Sequence, residues 1–206
     1  MQDALTFVAT RARLMATKCR PGTSGMVSCR APVTEVLQVL NGNASEMPGL
    51  SVACYNSPED IVVAGPSKSL EQLAEYCKDK GIKQKRLPVP FGFHSSAMDS
   101  IVDDLKTCAS SLDFRPPQIK IGSSLCGRIL QLDESFEEDY LAKHTRESVK
   151  FSELVQSLSA ELSGSDVNIL EVGPAVTSKL IPAAGSPIHS TFTPCPNLLN
   201  QSSGLS

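Results

Sequence analysis

Apolar residues recur at helical spacing from the start of the chain. Leu5, Val8, Ala9, Ala12 and Met15 predict a helix over 3–18, with Asp3 able to cap it. After the loop Arg20-Pro21-Gly22-Thr23-Ser24, residues 25–31 suit a short strand. Residues 32–40 suit a short helix, with Pro32 in its first turn and Val33, Val36, Leu37 and Leu40 on one face. Leu50–Tyr55 and Ile61–Ala64 predict a hairpin around Asn56-Ser57-Pro58-Glu59-Asp60. A helix over 69–80 follows, with a capping box from Ser69 and Gln72, an apolar face of Leu70, Leu73, Ala74 and Cys77, and a stop at Gly81. Ile82–Val89 reads as a strand. Strand, helix, strand, strand, helix, strand is the βαββαβ order of a ferredoxin-like unit, over residues 21–90.

Beyond it the rhythm changes. Met98, Ile101, Val102, Leu105, Cys108 and Leu112 line one helix face, and Ser96 with Asp99 resembles its capping box. Ile119–Ile121 reads as a short strand, and Phe136–Ala142 and Phe151–Leu162 as helices. Val167–Val172 reads as a buried parallel strand, broken by Gly173-Pro174. A short helix around Val176–Ile181, a strand near Ile188–Phe192 and a flexible tail over 193–206 complete the expectation.

Composition narrows the class. The 206 residues are 41% hydrophobic and 20% charged, as expected of a globular protein. The net charge of −3 and the lack of paired aromatic signatures argue against a nucleic-acid partner. The densest basic run, Lys78–Arg86, reads as a solvated helix end and strand face. Seven cysteines at irregular spacing, with no CxxC pair, suit neither a disulfide framework nor a metal site and suggest a reducing, cytoplasmic setting. No signal peptide or membrane span is expected.

The chemistry concentrates in Phe91-Gly92-Phe93-His94-Ser95-Ser96, at a predicted strand-to-helix junction. An imidazole there can take and return a proton near neutrality, so His94 is the candidate catalytic residue.

Six segments, in order, resemble one family: Arg11-Ala12-Arg13-Leu14-Met15, Ala53-Cys54-Tyr55-Asn56-Ser57-Pro58, Val62-Val63-Ala64-Gly65-Pro66, Gly92-Phe93-His94-Ser95-Ser96-Ala97-Met98, His144-Thr145-Arg146-Glu147-Ser148-Val149-Lys150-Phe151 and Leu170-Glu171-Val172-Gly173-Pro174. Together, over residues 3–192, they resemble the acyltransferase domain of polyketide and fatty acid synthases, in the style of fungal iterative enzymes. The resemblance implies an α/β fold. Residues 1–20 and 91–192 would form part of an α/β-hydrolase-like acyltransferase core, into which the ferredoxin-like subdomain is inserted.

It also implies an activity: transfer of malonyl from malonyl-CoA to an acyl carrier protein, in polyketide or fatty acid synthesis. His94 matches the family's base, and Arg11 the arginine that holds the free malonyl carboxylate. Phe93 matches a residue that crowds a 2-methyl group, and Asn56 a turn bordering the cleft. His144 matches the position whose backbone carbonyl orients the catalytic imidazole. No metal or organic cofactor is implied, since the phosphopantetheine arm belongs to the carrier; other synthase domains are further possible partners.

One element of the family is absent. No Gly-x-Ser-x-Gly nucleophile elbow occurs: Gly22-Thr23-Ser24-Gly25 has the wrong spacing, and Gly122-Ser123-Ser124-Leu125-Cys126 lacks the second glycine. The expectation is therefore a transferase fragment inactive alone. The alternative is a non-catalytic paralogue that binds a carrier protein or synthase subunit, with Lys83, Lys85 and Arg86 as a dock. A small hydrolase would need an elbow of its own.

Overall fold

The computed structural model describes residues 2–163, 166–172, 180, 181, 184 and 190–194. Two packed groups of elements share them. The first is the predicted ferredoxin-like unit: β1 (Ser24–Arg30), α2 (Val33–Gly42), β2 (Ser51–Ser57), β3 (Asp60–Pro66), α3 (Ser67–Asp79) and β4 (Lys83–Arg86). Its strands lie in the order β2-β3-β1-β4, all antiparallel. Alternation along β1 and β3 sends Val27, Cys29, Ile61 and Val63 to one face. There they meet Val36 and Val39 of α2 and Leu70, Leu73 and Cys77 of α3. Met26, Val62 and Ala64 go to the other face, with Ala53, Leu87, Val89 and Phe93.

The second group is helical. α1 (Gln2–Lys18), α4 (Asp99–Ala109) and α5 (Tyr140–Arg146) bury Phe7, Leu14, Ile101, Leu105, Ala109 and Ala142 against one another. A hairpin of β5 (Ile121–Ser123) and β6 (Arg128–Leu130) packs on α6 (Phe151–Glu161). β7 (Val167–Glu171) pairs in parallel with β8 (Ser190–Pro194). The segment before α6 stitches the groups together. Val149 N–H donates to the Ala53 carbonyl and its carbonyl accepts from Tyr55 N–H, both in β2, and Ser148 Oγ donates to the Val52 carbonyl at 2.6 Å.

Several expectations change. The inward stripe of α1 is Phe7, Leu14 and partly Met15, with Arg11 between them; Leu5 and Val8 are 60% and 64% exposed. The capping box at Ser69 does not form, because α3 starts two residues earlier and Ser69 Oγ donates to the Pro48 carbonyl instead. The box at Ser96 is replaced by Ser95, which caps a 3-10 turn over Ser96–Met98 ahead of α4. β4 stops at Arg86, since Pro88 and Pro90 have no N–H to continue the ladder. The helix expected at 136–142 begins only at Tyr140, and β6 has no counterpart among the expected elements.

β7 is parallel, as expected, but not buried: Leu170 is 64% exposed, since among the described residues only β8 pairs with it. Thr193 and Pro194 belong to β8 rather than a flexible tail, which leaves 195–206 outside the described residues. The break at Gly173-Pro174 and most of the helix expected at 176–181 also lie outside them.

Leu105 has no exposed surface and sits where α1, α4 and α5 meet. Leu105→Ala is expected to destabilise the chain by about 2–5 kcal/mol in urea unfolding; a loss near zero would mean that this helical core is not formed in solution.

Candidate active site around His94

The loop ahead of α4 is clamped where the two groups cross. Gly22 N–H donates to the Pro90 carbonyl at 2.8 Å, and Gly92 N–H donates to Ser24 Oγ at 2.9 Å. Ser95, fully buried, donates to the Gly92 carbonyl at 2.6 Å and accepts from Ala97 N–H at 3.2 Å. A Cβ on Gly92 would lie 3.2 Å from the Gly25 carbonyl oxygen, from Ser24 Cβ and from Ser95 Oγ, so the crossing closes tightly around it. Between these anchors His94 adopts φ 56°, the left-handed region that a residue with a Cβ enters only when its surroundings impose it.

The imposed geometry points the ring. His94 Nδ1 lies 3.0 Å from the Glu147 carbonyl. Glu147 ends α5 in an extended conformation, so its carbonyl leaves the helix and is free to accept. A carbonyl can only accept, so Nδ1 carries the proton and Nε2 keeps its lone pair. That is the tautomer of a general base. The leading acceptor is thus the Glu147 carbonyl, and the His144 carbonyl, the one expected, joins it as a lesser backbone contact of the ring.

His144 contributes its side chain as well. Its ring meets His94 edge-on with centroids 5.8 Å apart and stacks on Tyr140 at 6.2 Å, and its Nε2 lies 3.3 Å from Ser124 Oγ. Tyr140 is itself held by Ser123, hydroxyl to hydroxyl at 2.7 Å.

Beside this pair opens a cavity of about 870 Å³, lined by Phe7, Arg11, Met15, Phe93, Leu141 and His144 among others, with no carboxylate in its lining. His94 is not among the lining residues, but it follows Phe93 and meets the ring of His144, both of which are. Arg11 Nε is buried and has no hydrogen-bond partner. Arg11 shares the inward helix face with Phe7 and Leu14, a spacing that could have marked it from sequence alone. Phe93 lines the cavity and meets Phe91 edge-on at 6.0 Å. Asn56 is not brought to the site: it lies within β2, ahead of the turn at Pro58-Glu59, and outside the cavity lining.

Burial holds the His94 pKa below its ordinary value, with the nearby His144 and Arg11 acting in the same direction against the Glu147 carbonyl. Burial and then Arg11 lower that of His144. Burial lowers that of Arg11, which nevertheless stays a cation. Among the described residues there is no cluster of metal-ligating side chains, no helix long and apolar enough to cross a membrane, and six cysteines that are all free.

Comparisons with known proteins bear on the family and the fold. The family described as "Acyl transferase domain" matches residues 1–176. The chain belongs to this family. It is 34% identical over 194 residues to the conidial yellow pigment biosynthesis polyketide synthase of Emericella nidulans, covering 92% of the chain but 9% of that synthase. Among solved structures, the acyltransferase domain from the second module of the salinomycin polyketide synthase superposes with a TM-score of 0.80 at 28% identity, over 93% of this chain and 43% of that one. The malonyl CoA-acyl carrier protein transacylase of Clostridium perfringens shares the fold, with a TM-score of 0.80 at 22% identity over 60% of its length. The chain thus spans a small part of the synthases it resembles and about half of the solved acyltransferase domains.

The lowered imidazole pKa values have a signed consequence. The unfolded chain takes up protons near pH 6.5 and the folded chain only below it. The stability contributed by keeping both rings neutral is therefore complete above pH 6.5 and is lost as pH falls through the lower folded values. Titration of the imidazole NMR signals should place both midpoints below 6.5, and Arg11→Gln should raise both. Midpoints that ignore Arg11 would show that the guanidinium does not share the rings' environment.

Proposed function

We propose that this chain is the base- and substrate-bearing part of a malonyl acyltransferase domain of a polyketide synthase, transferring malonyl from coenzyme A to an acyl carrier protein. The observation that carries this reading is the unpartnered Arg11 Nε beside a neutral, tautomer-fixed His94, at a cavity whose lining has no carboxylate. Such a cavity favours an anionic guest. A guanidinium fork can bind both oxygens of the free malonyl carboxylate, which an acetyl ester lacks.

In the proposed reaction His94 Nε2 takes the proton of a serine hydroxyl as its oxygen bonds to the malonyl carbonyl carbon. The resulting imidazolium returns that proton to the departing coenzyme A thiolate, and the cycle reverses when the carrier's thiol attacks the malonyl-serine ester. The serine comes from residues outside these 206, which contain no Gly-x-Ser-x-Gly elbow. The bulk of Phe93 on the cavity wall would crowd a 2-methyl group and favour malonyl over methylmalonyl. His144 presents its ring to the same guest. No organic cofactor is required on this chain, and its free thiols suit a reducing, cytoplasmic setting.

Calorimetry with malonyl-CoA and acetyl-CoA tests the reading. Loss of a charge-assisted bidentate pair, about 1.5–3 kcal/mol, should weaken malonyl-CoA binding to Arg11→Ala by about 10–100-fold and leave acetyl-CoA nearly unchanged. Equal affinity of the unmodified chain for both esters would overturn it. Incubation with radiolabelled malonyl-CoA should leave no covalent label on the chain.

A further inference from the structure

The positive charge of this protein is unevenly neutralised. Outside the ferredoxin-like unit, Lys18, Lys106, Arg115, Lys120, Arg128, Lys143 and Arg146 each pair with a carboxylate, while Arg11, Arg13, Arg20 and Lys150 make no ion pair among the described residues. Residues 67–90 carry six cations against three acids, in a chain whose net charge is −3. Of those cations, Lys68, Lys78, Lys83, Lys85 and Arg86 make no ion pair among the described residues, and Lys80 lies over the Tyr76 ring. β4 holds three of them on the free edge of the sheet, and all four of its residues are exposed.

Register sharpens the point. Lys83 faces Arg30 directly across the β1–β4 pair, and like charges placed opposite each other destabilise a sheet. Arg30 reaches Asp60 at 3.7 Å on its other side, whereas Lys83 has no such relief. Lysines on an edge strand do guard against edge-to-edge association. That purpose needs charge of either sign, and an acidic residue opposite Arg30 would serve it while stabilising the pair. Lys83 and Lys85 also alternate onto the same side of the strand as Leu87 and Val89, the side that packs on Phe93 beside His94. From Lys85 to Phe93 is eight residues, at most about 28 Å of extended chain.

Resting on the acyltransferase reading above, we propose that the β4 edge, through Lys83, Lys85 and the facing Arg30, is the docking surface for an acidic carrier protein that presents its acyl arm to the His94 cavity. The surface leads along one sheet face to the site, and the uncompensated charge of its lysines is complementary to an acidic partner.

Lys83→Glu/Lys85→Glu tests this in the full 206-residue chain. The variant keeps the edge charged and sets a carboxylate against Arg30, so its Tm should rise by about 1–3 °C. Its affinity for an acidic acyl carrier domain of a fungal polyketide synthase should fall by about tenfold or more at low salt, with the gap closing as salt rises. Malonyl-CoA binding should not change. A stabilised chain that loses only the carrier supports the proposal. Carrier binding that is indifferent to the two substitutions overturns it, as does equal competition by a DNA duplex. If the unmodified chain binds malonyl-CoA but no carrier, the docking surface fails and the acyltransferase reading stands; if it binds neither, that reading fails first.

Discussion

Three groups able to carry positive charge lie close together: Arg11 and His144 line one partly desolvated cavity whose lining holds no carboxylate, and the ring of His94 meets that of His144. Burial makes protonation of both imidazoles harder, and the Arg11 cation adds to that effect. Burial first, and then the arginine, which cannot release its proton, hold the two imidazoles toward their neutral forms. The same convergence therefore yields a base that is unprotonated near neutrality and a fixed cation that lacks an anion. Both properties depend on burial, since water would screen the three groups from one another.

Burial in turn depends on how the chain crosses itself. The ferredoxin-like unit is an insertion, and its entry and exit strands are tied together at Gly22–Pro90 and Ser24–Gly92. That crossing, closed from beneath by the buried Ser95 hydroxyl, forces His94 into a left-handed conformation and aims Nδ1 at the freed carbonyl of Glu147. Local backbone strain is sustained by contacts far apart in sequence, on both sides of the insertion.

The ferredoxin-like unit was legible in the sequence because its signal is local: Val27, Cys29, Ile61 and Val63 alternate at period two, and Leu70, Leu73 and Cys77 repeat at helical spacing. His94 stood out from its place at a strand-to-helix junction, but its role as a base, like the roles of Arg11 and Phe93, came only through resemblance, since nothing local distinguishes a loop histidine from a base. What failed depended on tertiary context. Ser69 and Ser96 have the residue type of a cap, but the caps were decided by Pro66 and by the crossing at Ser95. A carbonyl carries no signature in a side-chain alphabet, so Glu147 could not be separated from His144. Asn56 had the residue type of a turn but lies in a strand that turns two residues later.

The two sets of unpaired cations differ in kind. Arg11 is sequestered, so its charge acts at short range, in a setting of low effective dielectric where a misplaced or uncharged guest gains little. Lys83 and Lys85 are fully wet, so their charge acts over about a Debye length and is weak at contact. The first arrangement selects a small molecule by chemical detail; the second suits the approach of a large charged surface. In the proposed carrier-dependent transfer the first would choose the acyl group by its structure and the second would gather the carrier by its field. Arg11 stands on α1 and the two lysines on β4, so each can be tuned without disturbing the other.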